Sequence, residues 1–176
     1  FQGNETFASK EGLHIVKSNP NQGHDVWSHL DGFTAWSVKN GVHLEYTSHY
    51  ILTDFDIIGK EATQFSTAGD GISLGKNASE IVIKDAVIEG FDTGIDLTKE
   101  FVRDDWLPEQ HNFVVVDPTF SNVTQNYEGF DPALDTVISS QQLPNLAADL
   151  SLDPLTMGSG VYGGTSISGT KSDTLG

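Results

Sequence analysis

Three residues in one short segment have side chains that suit proton transfer. His43, Tyr46 and His49 fall within seven residues of one another. A histidine beside a tyrosine can act as general acid and general base, and such a set can remove the proton at carbon 5 of a uronic-acid sugar. We therefore take these three residues as catalytic candidates. The alternative is that they are solvated positions on the outside of a strand.

Aromatic and basic side chains elsewhere suit contact with a sugar. Trp27 and Tyr50 flank this segment, and an insertion over residues 98–111 contains Arg103 and Trp106. A guanidinium group can hold a sugar carboxylate through two parallel hydrogen bonds, and an indole ring can stack on a sugar ring. These four residues are candidate carbohydrate-binding residues. The alternative for each tryptophan is packing within its own part of the structure.

Acidic residues dominate the charge of the chain, with 25 Asp and Glu against 9 Lys and Arg and a formal net charge of −16. This charge repels phosphate, which argues against a nucleic-acid partner. Asp56 and Asp85 occur in comparable stretches of the sequence, and stacked carboxylates repel unless a cation lies between them. Calcium prefers such oxygen ligands, so this pair is a candidate calcium site. A generally acidic surface is the alternative.

The composition sets limits on the fold and on other chemistry. The 176 residues contain no cysteine, which excludes disulfides, thiolate nucleophiles and cysteine zinc sites. No stretch approaches ~18 uninterrupted apolar residues, so we expect no membrane span. The 10 Phe, 4 Tyr and 3 Trp residues supply the burial that a packed domain needs.

A repeated phrase indicates which elements position the candidate residues. Gly-Val-His-Leu at 41–44 returns as Gly-Ile-Ser-Leu at 71–74 and as Gly-Ile-Asp-Leu at 94–97. We interpret each phrase as a glycine turn followed by a short strand that alternates between two faces. A β-branched second strand, such as residues 81–83, follows about ten residues after the second phrase. Repeats of this length are typical of a coil whose turns stack on one another.

The repeat predicts specific contacts between turns. Stacked strands lie about 4.8 Å apart, so Val42, Ile72 and Ile95 should form one inward column. We therefore predict an all-β fold, a parallel β-helix, over residues 1–132. A β-sandwich is the alternative, but its hairpin turns should occur at shorter spacing.

The two ends of the coil are predicted to differ from its middle. We expect a cap at the N-terminal end, in which Phe1, Phe7, Phe33 and Trp36 shield the first turn. After Pro132 the aromatic residues almost disappear. We expect an extended strip over 133–157 that packs on the coil, followed by a linker over 158–176, where 13 of 19 residues are Gly, Ser or Thr.

Two resemblances add a context to this interpretation. Residues 40–120 resemble the parallel β-helix repeats of extracellular polysaccharide-active and surface proteins. The longer segment 7–59, with Phe-Thr-Ala-Trp at 33–36 and Gly-Val at 41–42, resembles the β-helical region of the cell-surface hyaluronidase-like family. This resemblance implies a right-handed coil in an extracellular carbohydrate context.

The C-terminal residues carry the second resemblance. Residues 169–176 look like the opening of the glycine- and aspartate-rich calcium-binding repeats of proteins exported by type I secretion. The resemblance implies a secreted, bacterial protein and bound calcium. A plain linker is the alternative.

Together these observations lead us to expect a carbohydrate-facing module of a larger secreted or cell-surface protein, which binds or presents a polysaccharide. We lean against catalysis by this segment. The first alternative is a lyase or C5-epimerase that acts on a uronic-acid polysaccharide through His43, Tyr46 and His49. The second is a structural spacer or adhesin segment. The oligomeric state is left open.

Overall fold

The chain folds into three parallel sheets. The computed structural model describes residues 1–16, 27–59, 69–76, 78–99 and 113–138. Within these residues there are 15 strands and no helix, and none of them belongs to a helix that is long and apolar enough to cross a membrane.

The strands follow one another in groups of three, and we call each group a rung. Rung 1 contains β1 (Glu5–Phe7), β2 (Glu11–Val16) and β3 (Ser28–Asp31). Rung 2 contains β4 (Thr34–Val38), β5 (Asn40–Glu45) and β6 (Ser48–Thr53). Rung 3 contains β7 (Asp56–Gly59), β8 (Asp70–Leu74) and β9 (Ser79–Lys84). Rung 4 contains β10 (Val87–Glu89), β11 (Thr93–Asp96) and β12 (Phe113–Val116). Rung 5 contains β13 (Thr119–Ser121), β14 (Gln125–Glu128) and β15 (Thr136–Ile138).

Each rung contributes one strand to each of three sheets. Sheet 1 holds the first strand of every rung, sheet 2 the second and sheet 3 the third, and each sheet therefore has five strands. Every strand pairs in parallel with the equivalent strand of the next rung. This is a parallel β-helix, as the repeat predicted.

The predicted inward column is present in sheet 2. Val42 pairs with Ile72, and Ile72 pairs with Ile95. The three side chains are 1%, 0% and 0% exposed, so they form part of the continuous core between the sheets. Each rung covers the apolar side chains of the next rung, because an apolar residue occupies the equivalent position in each of them.

The glycine of each repeat has a different role from the one that we predicted. Gly41 and Gly71 lie inside strands β5 and β8 rather than in turns. A Cβ atom on Gly41 would lie 2.1 Å from the Gly71 carbonyl oxygen and 2.4 Å from Cγ2 of Ile57. The repeat therefore needs glycine because the backbone of the next strand in sheet 2 and an inward side chain of sheet 1 leave no room for a side chain.

The turn from sheet 3 to sheet 1 repeats one backbone conformation. Gly32, Asp54, Asp85 and Asp117 have φ angles of 66°, 53°, 54° and 49°. Asp54 N donates to Lys84 O at 3.1 Å, and Asp85 N donates to Val116 O at 3.0 Å. Aspartate tolerates this left-handed conformation better than most residues do, which explains its recurrence at this corner.

The aromatic residues of the predicted N-terminal cap divide between two places. Phe33 is 2% exposed, and the ring of Phe1 lies over it at a centroid distance of 6.1 Å. Phe7 and Trp36 instead stack on the outer face of sheet 1. Strand alternation turns both side chains outward, where Phe7 is 62% and Trp36 is 36% exposed. Residues 5–31 themselves supply the three strands of rung 1.

The coil extends past the predicted boundary at Pro132. Strand β15, which we had placed in the strip over 133–157, is the fifth strand of sheet 3. The rest of the strip and the linker over 158–176 lie outside the described residues.

Candidate functional site

The outer face of sheet 2 carries two columns of polar residues that run across all five rungs. We call these ten positions the polar face. One column contains Glu11, Asn40, Asp70, Thr93 and Gln125, and the other contains His14, His43, Ser73, Asp96 and Glu128. At a rung spacing of about 4.8 Å, the polar face is about 19 Å long. Such a surface is long and narrow.

Hydrogen bonds fix the side chains at the C-terminal end of the polar face. The Gln125 amide donates from Nε2 to Thr93 Oγ1 and to Glu128 Oε2, both at 3.1 Å. Thr93 Oγ1 in turn donates to Glu128 Oε2 at 3.2 Å. One oxygen of Asp96 accepts the backbone N–H of Thr98 at 2.8 Å. These contacts hold the acceptor groups in place before any ligand arrives.

The middle of the polar face is strongly acidic. Partial burial raises the pKa of the Asp70 carboxyl, and the nearby charges of Asp96 and Glu128 raise it further. A hydrogen bond from Thr93 and the proximity of His43 act in the opposite direction. None of the ten positions carries Lys or Arg. The face therefore offers many hydrogen-bond acceptors and a negative potential.

The N-terminal end of the polar face brings two histidines together. The rings of His14 and His43 lie 4.9 Å apart between centroids. Glu45 approaches both, at 3.4 Å from His14 Nε2 and 3.8 Å from His43 Nε2. Across the described part of the chain, His14, His43 and Glu45 are the one group of three His, Asp or Glu residues whose ligand atoms all lie within 4.8 Å.

The structure places the three catalytic candidates at separate positions. His43 lies on the polar face, and Tyr46 lies at the corner between sheets 2 and 3. His49 lies in β6 of sheet 3, where its Nε2 is 2.5 Å from Glu80 Oε2. The two histidines therefore belong to different sheets and contact different carboxylates.

Two of the four carbohydrate-binding candidates lie in the described residues. Trp27 is half-buried, and its ring meets the His49 ring edge-on at a centroid distance of 5.2 Å. Tyr50 is half-buried and packs against the core. Arg103 and Trp106 lie outside the described residues.

The two calcium candidates do not occupy equivalent positions. Asp56 begins β7 and is level with Val87 of the next rung. Asp85 lies at the sheet 3 to sheet 1 corner, where its equivalent in the preceding rung is Asp54. Lys84 Nζ contacts the Asp85 carboxylate. Tertiary structure thus brings Asp54, rather than Asp56, into one column with Asp85.

Much of the polar face was not recognised from the sequence. The repeat aligned His43 with Ser73 and Asp96, but the column continues to His14 in rung 1 and to Glu128 in rung 5. A signal for His14 was present, because Gly-Leu-His-Ile at 12–15 has the same pattern as the three recognised phrases. Glu128 has no such signal, since the fifth rung lacks the glycine.

Comparison of the chain with protein-family models, with curated proteins and with solved structures gives no match. The parallel β-helix is established by its strand pairing. Function is therefore inferred from the chemistry of the polar face itself.

Proposed function

We propose that this chain is a binding module for an extended, neutral polysaccharide that lies along the polar face. The observation that carries this proposal is the run of ten polar positions, in two columns in register, across five rungs. A surface with this shape suits a linear polymer, because successive units of the polymer can meet successive rungs of the protein.

The chemistry of the polar face suits sugar hydroxyl groups. Asp70, Asp96 and Glu128 supply carboxylate acceptors, and hydrogen bonds that involve a charged partner are about twice as strong as neutral ones. Gln125 and Thr93 are already held by hydrogen bonds to their neighbours. Side chains that are ordered before binding lose less conformational entropy when the ligand arrives.

Charge selects between classes of polysaccharide. The face carries carboxylates and no cationic side chain, so a uronic-acid polymer would be repelled. Such a polymer would need calcium ions between its carboxylates and those of the protein. A neutral polysaccharide needs no bridging cation, and it is therefore the ligand that we propose.

The same proposal includes where the protein acts, outside the cell or on its surface, and that the polar face binds the polysaccharide without reacting with it. The secreted or cell-surface setting that the resemblances imply would give the polar face access to extracellular polysaccharides. A uronic-acid lyase or epimerase would need His43, Tyr46 and His49 around one carbon atom. The separate carboxylate partners of the two histidines favour a binding module over that enzyme.

Binding to a panel of soluble polysaccharides tests the proposal. We expect retardation of the full chain in gels that contain neutral glucans or mannans, and no retardation by alginate or pectate without calcium. Asp96→Ala should weaken binding about 10-fold to 100-fold, since a hydrogen bond to a charged group contributes about 1.5–3 kcal/mol. Glu89→Ala, on the outer face of sheet 1, is the matched control and should bind like the unmodified chain.

Four outcomes contradict the proposal. Equal loss of binding in Asp96→Ala and Glu89→Ala would move the site away from the polar face. Calcium-dependent binding of alginate alone would make the ligand a uronic-acid polymer. An unsaturated or epimerised product would show that the chain is a lyase or an epimerase. Failure to bind any polysaccharide would favour a structural spacer.

A further inference from the structure

The N-terminal end of the polar face contains nitrogen and oxygen donors that converge on one point. His14 Nε2 lies 3.4 Å from one oxygen of Glu45, and His43 Nε2 lies 3.8 Å from the other. All three ligand atoms lie within 4.8 Å of one another. The proposed sugar contacts involve Asp70, Thr93, Asp96, Gln125 and Glu128, and they assign no role to this cluster.

The separation of these donors matches a small tetrahedral ion. Zn²⁺ binds histidine nitrogen and carboxylate oxygen at about 2.0–2.1 Å, so two ligands at the corners of its tetrahedron lie about 3.3 Å apart. The 3.4 Å between His14 Nε2 and Glu45 is close to that value. His43 Nε2 lies 3.8 Å from the second oxygen of Glu45, about 0.5 Å further than in an ideal tetrahedron.

A fourth residue orients one of the ligands. Glu11 Oε2 lies 3.1 Å from Nδ1 of His14. When Nδ1–H donates to that carboxylate, the lone pair of the imidazole is on Nε2, the nitrogen that faces Glu45. A carboxylate behind a histidine ligand is a usual feature of zinc sites, where it fixes the tautomer and increases the basicity of the ligand.

The fold itself holds the ligands together. His14 and His43 are paired neighbours in β2 and β5, so the strand register fixes their separation. Gly75 leaves space for the His43 ring, because a Cβ atom there would lie 2.7 Å from Cε1 and 3.1 Å from Nε2 of that ring.

We propose that His14, His43 and Glu45 bind a divalent transition-metal ion of the Zn²⁺ type, with Glu11 as a positioning residue. Three protein ligands leave the fourth tetrahedral position to solvent or to another ligand. Imidazole nitrogen favours zinc and its neighbours over calcium, which takes six to eight oxygen ligands. The proposal does not rest on polysaccharide binding, because the metal titration gives its result without any sugar present.

Metal titration of the untagged full chain tests the proposal. We expect one Zn²⁺ per chain in competition with a chromogenic chelator, and a Co²⁺ adduct with the intense visible bands of tetrahedral coordination. His14→Ala and His43→Ala should each weaken Zn²⁺ binding about 100-fold or more, and Glu11→Gln should weaken it about 10-fold to 100-fold. Calcium in excess should not displace the Zn²⁺.

The matched control is His49→Ala, which removes a histidine that contacts a carboxylate on sheet 3. It should bind Zn²⁺ like the unmodified chain. Circular dichroism and metal-free melting curves establish that each variant is folded before its affinity is compared. The proposal is overturned if the unmodified chain binds no Zn²⁺, if affinity survives in both His14→Ala and His43→Ala, or if it is lost in His49→Ala.

Discussion

Lys99 and Asp135 form an ion pair that joins the fourth rung to the fifth, although they lie 36 residues apart in the sequence. The Lys99 side chain is 11% exposed and the Asp135 side chain is 0% exposed. Lys99 Nζ also donates to Gly129 O at 3.2 Å and lies 5.2 Å from the centre of the Phe113 ring. Asp135 Oδ2 accepts the backbone N–H of Asp131 at 2.8 Å. The pair therefore fixes the last rung of the described coil.

Removal of this lysine should destabilise the coil strongly. In Lys99→Met the carboxylate of Asp135 stays buried without its cation, and we expect a loss of about 3–5 kcal/mol in the free energy of unfolding. Urea denaturation measures the change. The double variant Lys99→Met with Asp135→Asn should recover part of the loss. Lys10→Met, at a side chain that is 75% exposed, should cost almost nothing, and an equal effect at both lysines would refute this account.

The close approach of sheets 1 and 2 makes Gly41 irreplaceable. A Cβ atom would overlap the backbone of Gly71 and the side chain of Ile57, and overpacking of this kind costs about 1–3 kcal/mol or more. We expect Gly41→Ala to lower the melting temperature markedly in a calorimetric scan. Ser121→Ala, at an exposed position on sheet 1, is the control. A Gly41→Ala chain as stable as the control would mean that the sheets are further apart.

Neutralisation of Asp70 should stabilise the protein at neutral pH. Its pKa in the folded chain is raised above 3.8 by burial and by Asp96 and Glu128, so the folded state holds its proton to higher pH than the unfolded state does. Stability therefore falls as pH rises from 3.8 through the folded pKa and stays lower above it.

Asp70→Asn removes this contribution. We expect it to raise the free energy of unfolding at pH 7 by about 0.5 kcal/mol, the size of a cross-strand charge pair. The advantage should shrink as the pH is lowered through the same interval. Melting temperatures of both chains between about pH 3 and pH 7 measure it, and a variant that is less stable at pH 7 would contradict the prediction.

Gly75→Ala should impair the proposed metal site more than the fold. The new Cβ atom meets the far end of the His43 ring rather than backbone, so the ring can rotate away at little cost in stability. Rotation moves Nε2 away from Glu45, and we expect weaker Zn²⁺ binding with a nearly unchanged melting temperature. Chelator competition and metal-free melting measure the two quantities. Unchanged affinity would show that the ring is not constrained by this glycine.

The amino-acid sequence determined the rung and its inward columns. Successive side chains of a strand point to opposite faces. The apolar residues on either side of His43, Ser73 and Asp96 therefore assign these three residues to the outer face. The interval between repeats then assigns Val42, Ile72 and Ile95 to one column, and the pairing confirms it. Alternation is a local property, and it can be read without knowledge of the neighbours.

Tertiary structure alone decided which polar residues meet across rungs. The corners between strands differ in length, so the interval that relates rung 2 to rung 3 does not predict the register of rung 5. For this reason Asp54 in the column of Asp85 and Lys99 on Asp135 were not found in the sequence. The same holds for Gly41, because the lack of space around it is created by Gly71 of the next rung and by Ile57 of sheet 1.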